Sequence, residues 1–391
     1  MSGPLSGVRV IDLTINVLGP LATQVLGDAG ADVIKIEAPG GDPMRKIGPS
    51  RTPLMGTYYL NCNRNKRSVV LDLKREAGRA AMRRLIETAD VFVHNMRIAA
   101  MERLGFGYAA AAAINPRLIY AASTGFRRAS TAAERGAFDD IVQGWSGLAA
   151  LNAGLDGTPR FVPTVMADKI TGLALASAVG MALYAREKTG KGQQLHVPMV
   201  ETLVQFTLIE HLWGATLCEP ALGLGYGRML SPHRRPYRTK DGFITVLGVT
   251  DDQWRRLFAA IGQPGLIDDP RFSDLTARTA NVDAMLAIVA DALAARTTAE
   301  WTRILDEADV PNGAVNTLEG LLDDAYLQET GFFQRVTHPT EGPMNMMAIP
   351  PEFDGTPGAI RRLPPKLGEH TCEVLAEAGL GAAEIEAASG L

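Results

Sequence analysis

The chain has 391 residues, 46% hydrophobic and 21% charged, with a net charge of −4; that size and balance suit a globular protein of two domains, or one large α/β body with an inserted lobe. The two signs of charge are interspersed, so no basic face for nucleic acid or an anionic membrane is expected. Cys62, Cys218 and Cys372 lie far apart without a CxxC pair, and the histidines show no metal-ligand spacing, which argues against a disulfide framework or a metal centre. In chain order, residues 8–13 read as a buried strand, 20–28 as a helix ending at Gly30, and 32–36 as a second strand stopped by Pro39-Gly40-Gly41. Residues 68–73, 91–93 and 118–121 continue the strand pattern, with helices at 76–88 and over the alanine run 109–113. Near-continuous apolar strands separated by helices predict a Rossmann-like parallel sheet covered on both faces. Leu18-Gly19-Pro20 stands where a dinucleotide-binding G-x-G-x-x-G would fall, so the nicotinamide and flavin fingerprint is missing.

Asp168 comes next, at the mouth of an alanine-rich helix that runs to about Glu187 and is followed by the turn Gly190-Lys191-Gly192. Free N–H groups and the positive end of the helix dipole are expected to hold its carboxylate ionised. Such a carboxylate serves either as a helix cap or as a covalent nucleophile toward an activated acyl group, and the local residues fit both roles. Beyond Val204 the composition shifts. Residues 223–227, Gly-Leu-Gly-Tyr-Gly, read as a linker or loop, and residues 237–246 as a hairpin turning at Asp241-Gly242. Thr250 with Gln253 and Thr297 with Glu300 spell capping boxes, and helices are expected over 251–261 and 281–296. The passage from Pro339 to Pro365 reads as a long connection, closed by a short helix within 368–391. The N-terminus lacks the charged and apolar regions of a signal peptide, and no uninterrupted apolar run reaches the length of a membrane span. A cytoplasmic protein without membrane or nucleic-acid partners is expected.

Taken together in order, several short segments resemble class III CoA-transferases: Gly7-Val8-Arg9-Val10-Ile11-Asp12-Leu13-Thr14, Leu18-Gly19-Pro20, Gly30-Ala31-Asp32-Val33-Ile34-Lys35-Ile36-Glu37 and Asn65-Lys66-Arg67-Ser68. The likeness continues through Leu71-Asp72-Leu73-Lys74, Asp90-Val91-Phe92-Val93-His94-Asn95, Arg103-Leu104-Gly105, Gln143-Gly144-Trp145-Ser146-Gly147-Leu148, Arg186-Glu187-Lys188-Thr189-Gly190-Lys191-Gly192-Gln193 and Leu367-Gly368-Glu369-His370-Thr371. The family includes formyl-CoA:oxalate and carnitine-type transferases and the related α-methylacyl-CoA racemases. The resemblance implies a large Rossmann-like CoA-binding domain over 1–204, a small α+β domain over 225–325, and a return linker with a C-terminal segment over 326–391 that packs on the large domain. It also implies an interlocked homodimer.

By the same resemblance Asp168 takes the position of the catalytic aspartate. The substrates would be a CoA thioester and a carboxylic acid, with no permanently bound cofactor and no metal. CoA contacts are implied at Val17, Leu18, Leu71, Asp72, Leu73, Lys74, Asn95, Met96, Arg97, Arg103 and Phe138, the arginines toward phosphate. Gly223, Gly225 and Gly227 are candidates for the loop that covers the aspartate. Three positions depart from relatives. Val17 replaces a glutamine and Ala38 an arginine of the formyl-CoA enzyme, and Phe138 stands where racemases carry a histidine base. Racemisation needs two acid/base groups, and phenylalanine is neither. A 2-methylacyl-CoA racemase-like isomerase and a CoA-binding protein without turnover are the alternatives to a transferase.

Overall fold

A computed structural model describes residues 3–153 and 157–390. The chain divides into two compact units. The first is built from the residues up to Ala153, Pro159–Phe206 and everything from Gly331 onward; Thr207–Thr330 make up nearly all of the second.

The first unit is organised on a six-stranded sheet of β1 (Arg9–Leu13), β2 (Asp32–Glu37), β3 (Lys66–Val70), β4 (Val91–His94), β5 (Ile119–Ala122) and β6 (Gln193–His196), in the order β3-β2-β1-β4-β5-β6. Every neighbouring pair is parallel. Because successive side chains alternate faces, Val10, Val33, Val91 and Ile119 pack on one side with Leu18, Ala22 and Leu26 of the Leu18–Asp28 helix and Leu175, Val179 and Leu183 of the Met166–Thr189 helix. Their sequence neighbours Ile11, Ile34, Phe92 and Tyr120 pack on the other, against Met82, Leu85 and Ile86 of the Glu76–Glu87 helix. Gly172 lets the first pair of helices approach closely: a Cβ there would lie 2.6 Å from the Leu18 carbonyl oxygen.

Charged residues on and beside β1 to β3 are buried in pairs. Lys66 meets Asp12 at 3.1 Å, Lys35 meets Asp42 at 3.0 Å and Arg45 meets Glu37 at 2.7 Å. Removing one member of such a pair strands the other charge in the interior, at a cost of about 3–5 kcal/mol. These pairs also fix the loop after β1: Asp12 accepts from the Thr14 N–H and the Thr23 hydroxyl, while the Lys35 ammonium donates to the Thr14 carbonyl.

Three expectations are corrected. The polar segment Gln193–His196 is a sheet-edge strand, missed because an edge strand half open to solvent lacks the apolar run of its neighbours. The passage expected as a plain connection opens on an antiparallel hairpin, β10 (Phe333–His338) with β11 (Gly342–Met347). The single closing helix is two, Thr371–Glu377 and Ala382–Ser389, whose Val374, Leu375 and Ala388 complete the second sheet face. This C-terminal segment is tied to β3 by the Thr371 hydroxyl, which accepts from the Val70 N–H at 3.0 Å.

The second unit holds a small sheet in the order β7-β8-β9 (Tyr237–Arg238, Phe243–Val246, Asn312–Ala314). It is covered by the helices Asp251–Ala260, Val282–Leu293 and Thr298–Glu307 around Trp254, Phe258, Leu286 and Trp301. Both capping boxes read from the sequence are formed. Gly223 and Gly225 have φ of +69° and +91°, the left-handed region that glycine enters without strain.

Candidate active site

A cavity of about 230 Å³ opens beyond the carboxyl ends of β1, β4 and β5. In the strand order β3-β2-β1-β4-β5-β6 the chain reverses direction of travel between β1 and β4, the place where open parallel sheets leave a crevice for ligands. Ile15 and Asn16 come from the loop after β1, Asn95, Met96 and Arg97 from the loop after β4, and Ser123, Thr124 and Gly125 from that after β5. The Asn95 amide locks the first two loops together: its oxygen accepts from the Ile15 N–H at 3.0 Å and its nitrogen donates to the Ile15 carbonyl at 2.8 Å. The remaining wall is Leu18, Ala133, Arg135, Gly136, Ala137, Phe138, Asp168 and Met199.

Among the described residues, Asp168 is the only acidic side chain on that wall. It occupies the first turn of the Met166–Thr189 helix, half-buried, and it does not cap that helix: Val165 is the N-cap and no side chain bonds there. The cap comes from outside. Asp139, 6% exposed, accepts the Asp168 N–H on Oδ1 at 3.0 Å, and its Oδ2 accepts from Gln143 Nε2 at 2.6 Å. Gln143 is in turn held by the Val162 N–H, which donates to its Oε1 at 2.9 Å. With the dipole's positive end already facing the Asp139 carboxylate, burial and then the Asp139 charge push the Asp168 pKa up to about 7. That direction runs against the expectation of a carboxylate held ionised by its helix. The hydroxyls on the wall are committed elsewhere: Ser123 donates to the Val197 carbonyl at 2.7 Å and Thr124 to the Phe126 carbonyl at 3.0 Å.

Of the residues expected from the sequence, Leu18, Asn95, Met96, Arg97, Phe138 and Asp168 meet at this cavity. Val17, Leu71, Asp72, Leu73, Lys74 and Arg103 do not line it. Val17 and Leu71 are 4% and 1% exposed, so a ligand would reach little more than their backbone, and Asp72 Oδ1 accepts from the Lys74 N–H within its own turn. Arg103 is exposed on the last turn of the Ile98–Leu104 helix. Sequence reasoning missed Arg135, whose guanidinium sits 4.9 Å from the Trp145 ring, and the Asp139–Gln143 pair. The four-residue spacing of that pair, on one face of the Asp139–Trp145 helix, was the signal available.

Sheet order and cavity together define a parallel α/β protein with a carboxylate at the switch-point crevice. The chain belongs to CoA-transferase family III, whose profile matches residues 5–371. It is 34% identical to a succinate–glutarate CoA-transferase of Agrobacterium fabrum over 96% of this chain and 95% of that protein. It is 38% identical to an acetyl-CoA:oxalate CoA-transferase of Acetobacter aceti over 80% of each. A probable fatty acyl-CoA transferase of Mycobacterium tuberculosis is 33% identical over 95% of this chain and 98% of that one. The orthorhombic crystal form of the same mycobacterial protein superposes with a TM-score of 0.81 at 32% identity, covering 95% of this chain and 99% of the other. The protein is thus an enzyme of the CoA-transferase class, and enzymes of that class take CoA thioesters as substrates.

Proposed function

We propose that the enzyme moves CoA from an acyl-CoA thioester to a free carboxylic acid through covalent intermediates on Asp168. The observation that carries this reading is that Asp168 is the one acidic group on the wall of the switch-point cavity. In the first step a carboxylate oxygen of Asp168 attacks the thioester carbonyl, the C–S bond breaks, and the electron pair leaves on the CoA sulfur, giving a mixed anhydride. The thiolate then attacks the Asp168 carbonyl and expels the donor's acid, leaving an aspartyl-CoA thioester. An acceptor carboxylate repeats the sequence in reverse order and departs as the new thioester. Each step exchanges one activated acyl bond for another, which divides a difficult transfer into easier ones.

CoA contacts at Asn95, Met96, Arg97, Arg103 and Phe138 are part of the proposal. Arg97 and Arg103 have no carboxylate partner among the described residues, and neither has Arg135, which supports an anionic ligand beside them. The succinate–glutarate and acetyl-CoA:oxalate activities named for two bacterial relatives favour small acids, at least one of them dicarboxylic, as donor and acceptor. A racemase is disfavoured because no second acid or base lines the cavity and Phe138 does.

Intact-protein mass spectrometry after mixing with succinyl-CoA, acetyl-CoA and longer acyl-CoA thioesters tests the reading. A mass gain of CoA or acyl group is expected on the wild type and not on Asp168→Ala, with turnover falling by at least about a thousandfold, the scale of losing a covalent nucleophile. Undiminished transfer in Asp168→Ala would sink the assignment.

A further inference from the structure

We infer that Asp139 is a positioning residue for Asp168, pinning the backbone of the nucleophile and placing a carboxylate beside its carboxyl. The inference rests on Asp168 being the nucleophile. Asp139 is buried, its two oxygens are used in two directions, and neither direction is an ion pair: Oδ1 holds the Asp168 N–H at 3.0 Å and Oδ2 the Gln143 amide at 2.6 Å. Burying a carboxylate without a cation is costly, and a neutral asparagine or serine could have capped the same N–H. The acid therefore has a consequence a cap alone does not explain: a negative charge next to the carboxyl that must attack.

Other charged groups around Asp168 do not cancel that field. Lys169, next on the same helix, turns its ammonium to the Thr164 hydroxyl at 2.6 Å. Arg97 and Arg135 line the same cavity but are exposed, and neither contributes to the Asp168 shift. Tyr58 feels Asp168 and Asp139 from the Thr57–Leu60 turn, and burial holds its phenol above the usual range. The Leu18–Asp28 helix, packed along the Asp168 helix, has Asp28 as its only ionisable residue, and Asp28 is paired with Arg64 at 2.7 Å.

The chemical benefit lies in the mixed anhydride. Thiolate can attack either carbonyl, and the carboxylate that is the weaker base leaves more readily. A small free acid has a pKa of about 4–5, like a glutamate side chain, whereas Asp168 stands at about 7. Attack on the Asp168 carbonyl, which expels the donor's acid, is favoured over the return reaction, which would expel Asp168. The same basicity makes Asp168 the better nucleophile once it has lost its proton, at the cost of a smaller ionised fraction below pH 7.

The test is the pH profile of single-turnover adduct formation, followed by intact mass with succinyl-CoA and acetyl-CoA from pH 5 to 9, on wild type, Asp139→Asn, Asp139→Ala and Gln143→Ala, with a melting curve for each. The wild-type rate should rise with pH along a limb centred near 7. In both Asp139 variants the limb should move to lower pH, raising the acid-side rate relative to the plateau tenfold for each unit moved, while the plateau itself falls, more in the alanine variant. Gln143→Ala keeps the charge but frees Asp139, so its plateau should fall with the limb in place. It also keeps the question open to test if the Asp139 variants fail to fold. A wild-type adduct whose limb stays put in folded Asp139 variants, or a Gln143→Ala plateau equal to wild type, overturns the role of Asp139. No adduct on wild type with any thioester would instead remove the nucleophile itself.

Discussion

His94 ends β4 with its ring fully buried, 5.9 Å from Phe92 and 5.2 Å from Tyr120 between ring centroids. Burial depresses its pKa to about 4. The folded state keeps it neutral while the unfolded chain binds a proton near pH 6.5, so stability present above that pH is lost as pH falls toward 4. Between pH 7 and 5 the loss from this one group is about 2 kcal/mol. His94→Phe should remove that amount from the pH dependence of the unfolding free energy measured in urea, whatever its effect at pH 7; an unchanged slope would mean the ring is protonated in place. Asp168 obeys the same physics with the opposite sign of charge. Its place in a helix's first turn was legible from Asp168-Lys169-Ile170-Thr171-Gly172, but its charge state was not, since that depends on burial and on Asp139, 29 residues away in sequence.

Elements follow the sequence most closely where the signal is local. The Thr250–Gln253 and Thr297–Glu300 boxes satisfy N-terminal N–H groups within four residues, and both form. Gly190, with φ of +71°, ends the Met166–Thr189 helix as a left-handed cap. Elements stabilised by partners distant in the chain are less legible: β6 exists because Gln193 to His196 pair with Ile119 to Ala122, and β10 because it pairs with β11. The Ile98–Leu104 helix joins the two scales, with Arg97 at its N-cap beside the cavity and Arg103 in its last turn. A cation set about 9 Å farther along, at 1.5 Å per residue, suits a long ligand whose reactive end lies in the cavity. Arg103→Ala should raise the KM for the CoA thioester about five- to tenfold, the worth of one exposed charge-assisted contact, and leave that of the acceptor acid unchanged. Equal changes in both would argue against a phosphate contact.

At the scale of the molecule, the Met166–Thr189 helix is 24 residues long and apolar enough to suit a membrane span by length and composition, yet one face of it packs in the sheet's core. Its other face leaves Leu173, Met181 and Tyr184 exposed at 55%, 68% and 65%. An apolar stripe of that kind is the sort of surface that the homodimer implied by the family resemblance would cover. Light scattering behind size exclusion should give twice the chain mass for the wild type and the chain mass for Met181→Asp/Tyr184→Asp. A monomeric wild type would remove the dimer.

The parallel α/β class, the strands β1 to β5 and the place of Asp168 in a helix's first turn were legible in the chain alone, because alternating strand and helix patterns, caps and a family's ordered motifs are carried by residues near one another in sequence. Only the tertiary structure decided which loops meet at the cavity, that Asn95 clamps Ile15, and that Asp139 and Gln143 stand behind Asp168. Burial and through-space charge depend on distances between segments far apart in sequence, and those distances exist only once the sheet has set its order.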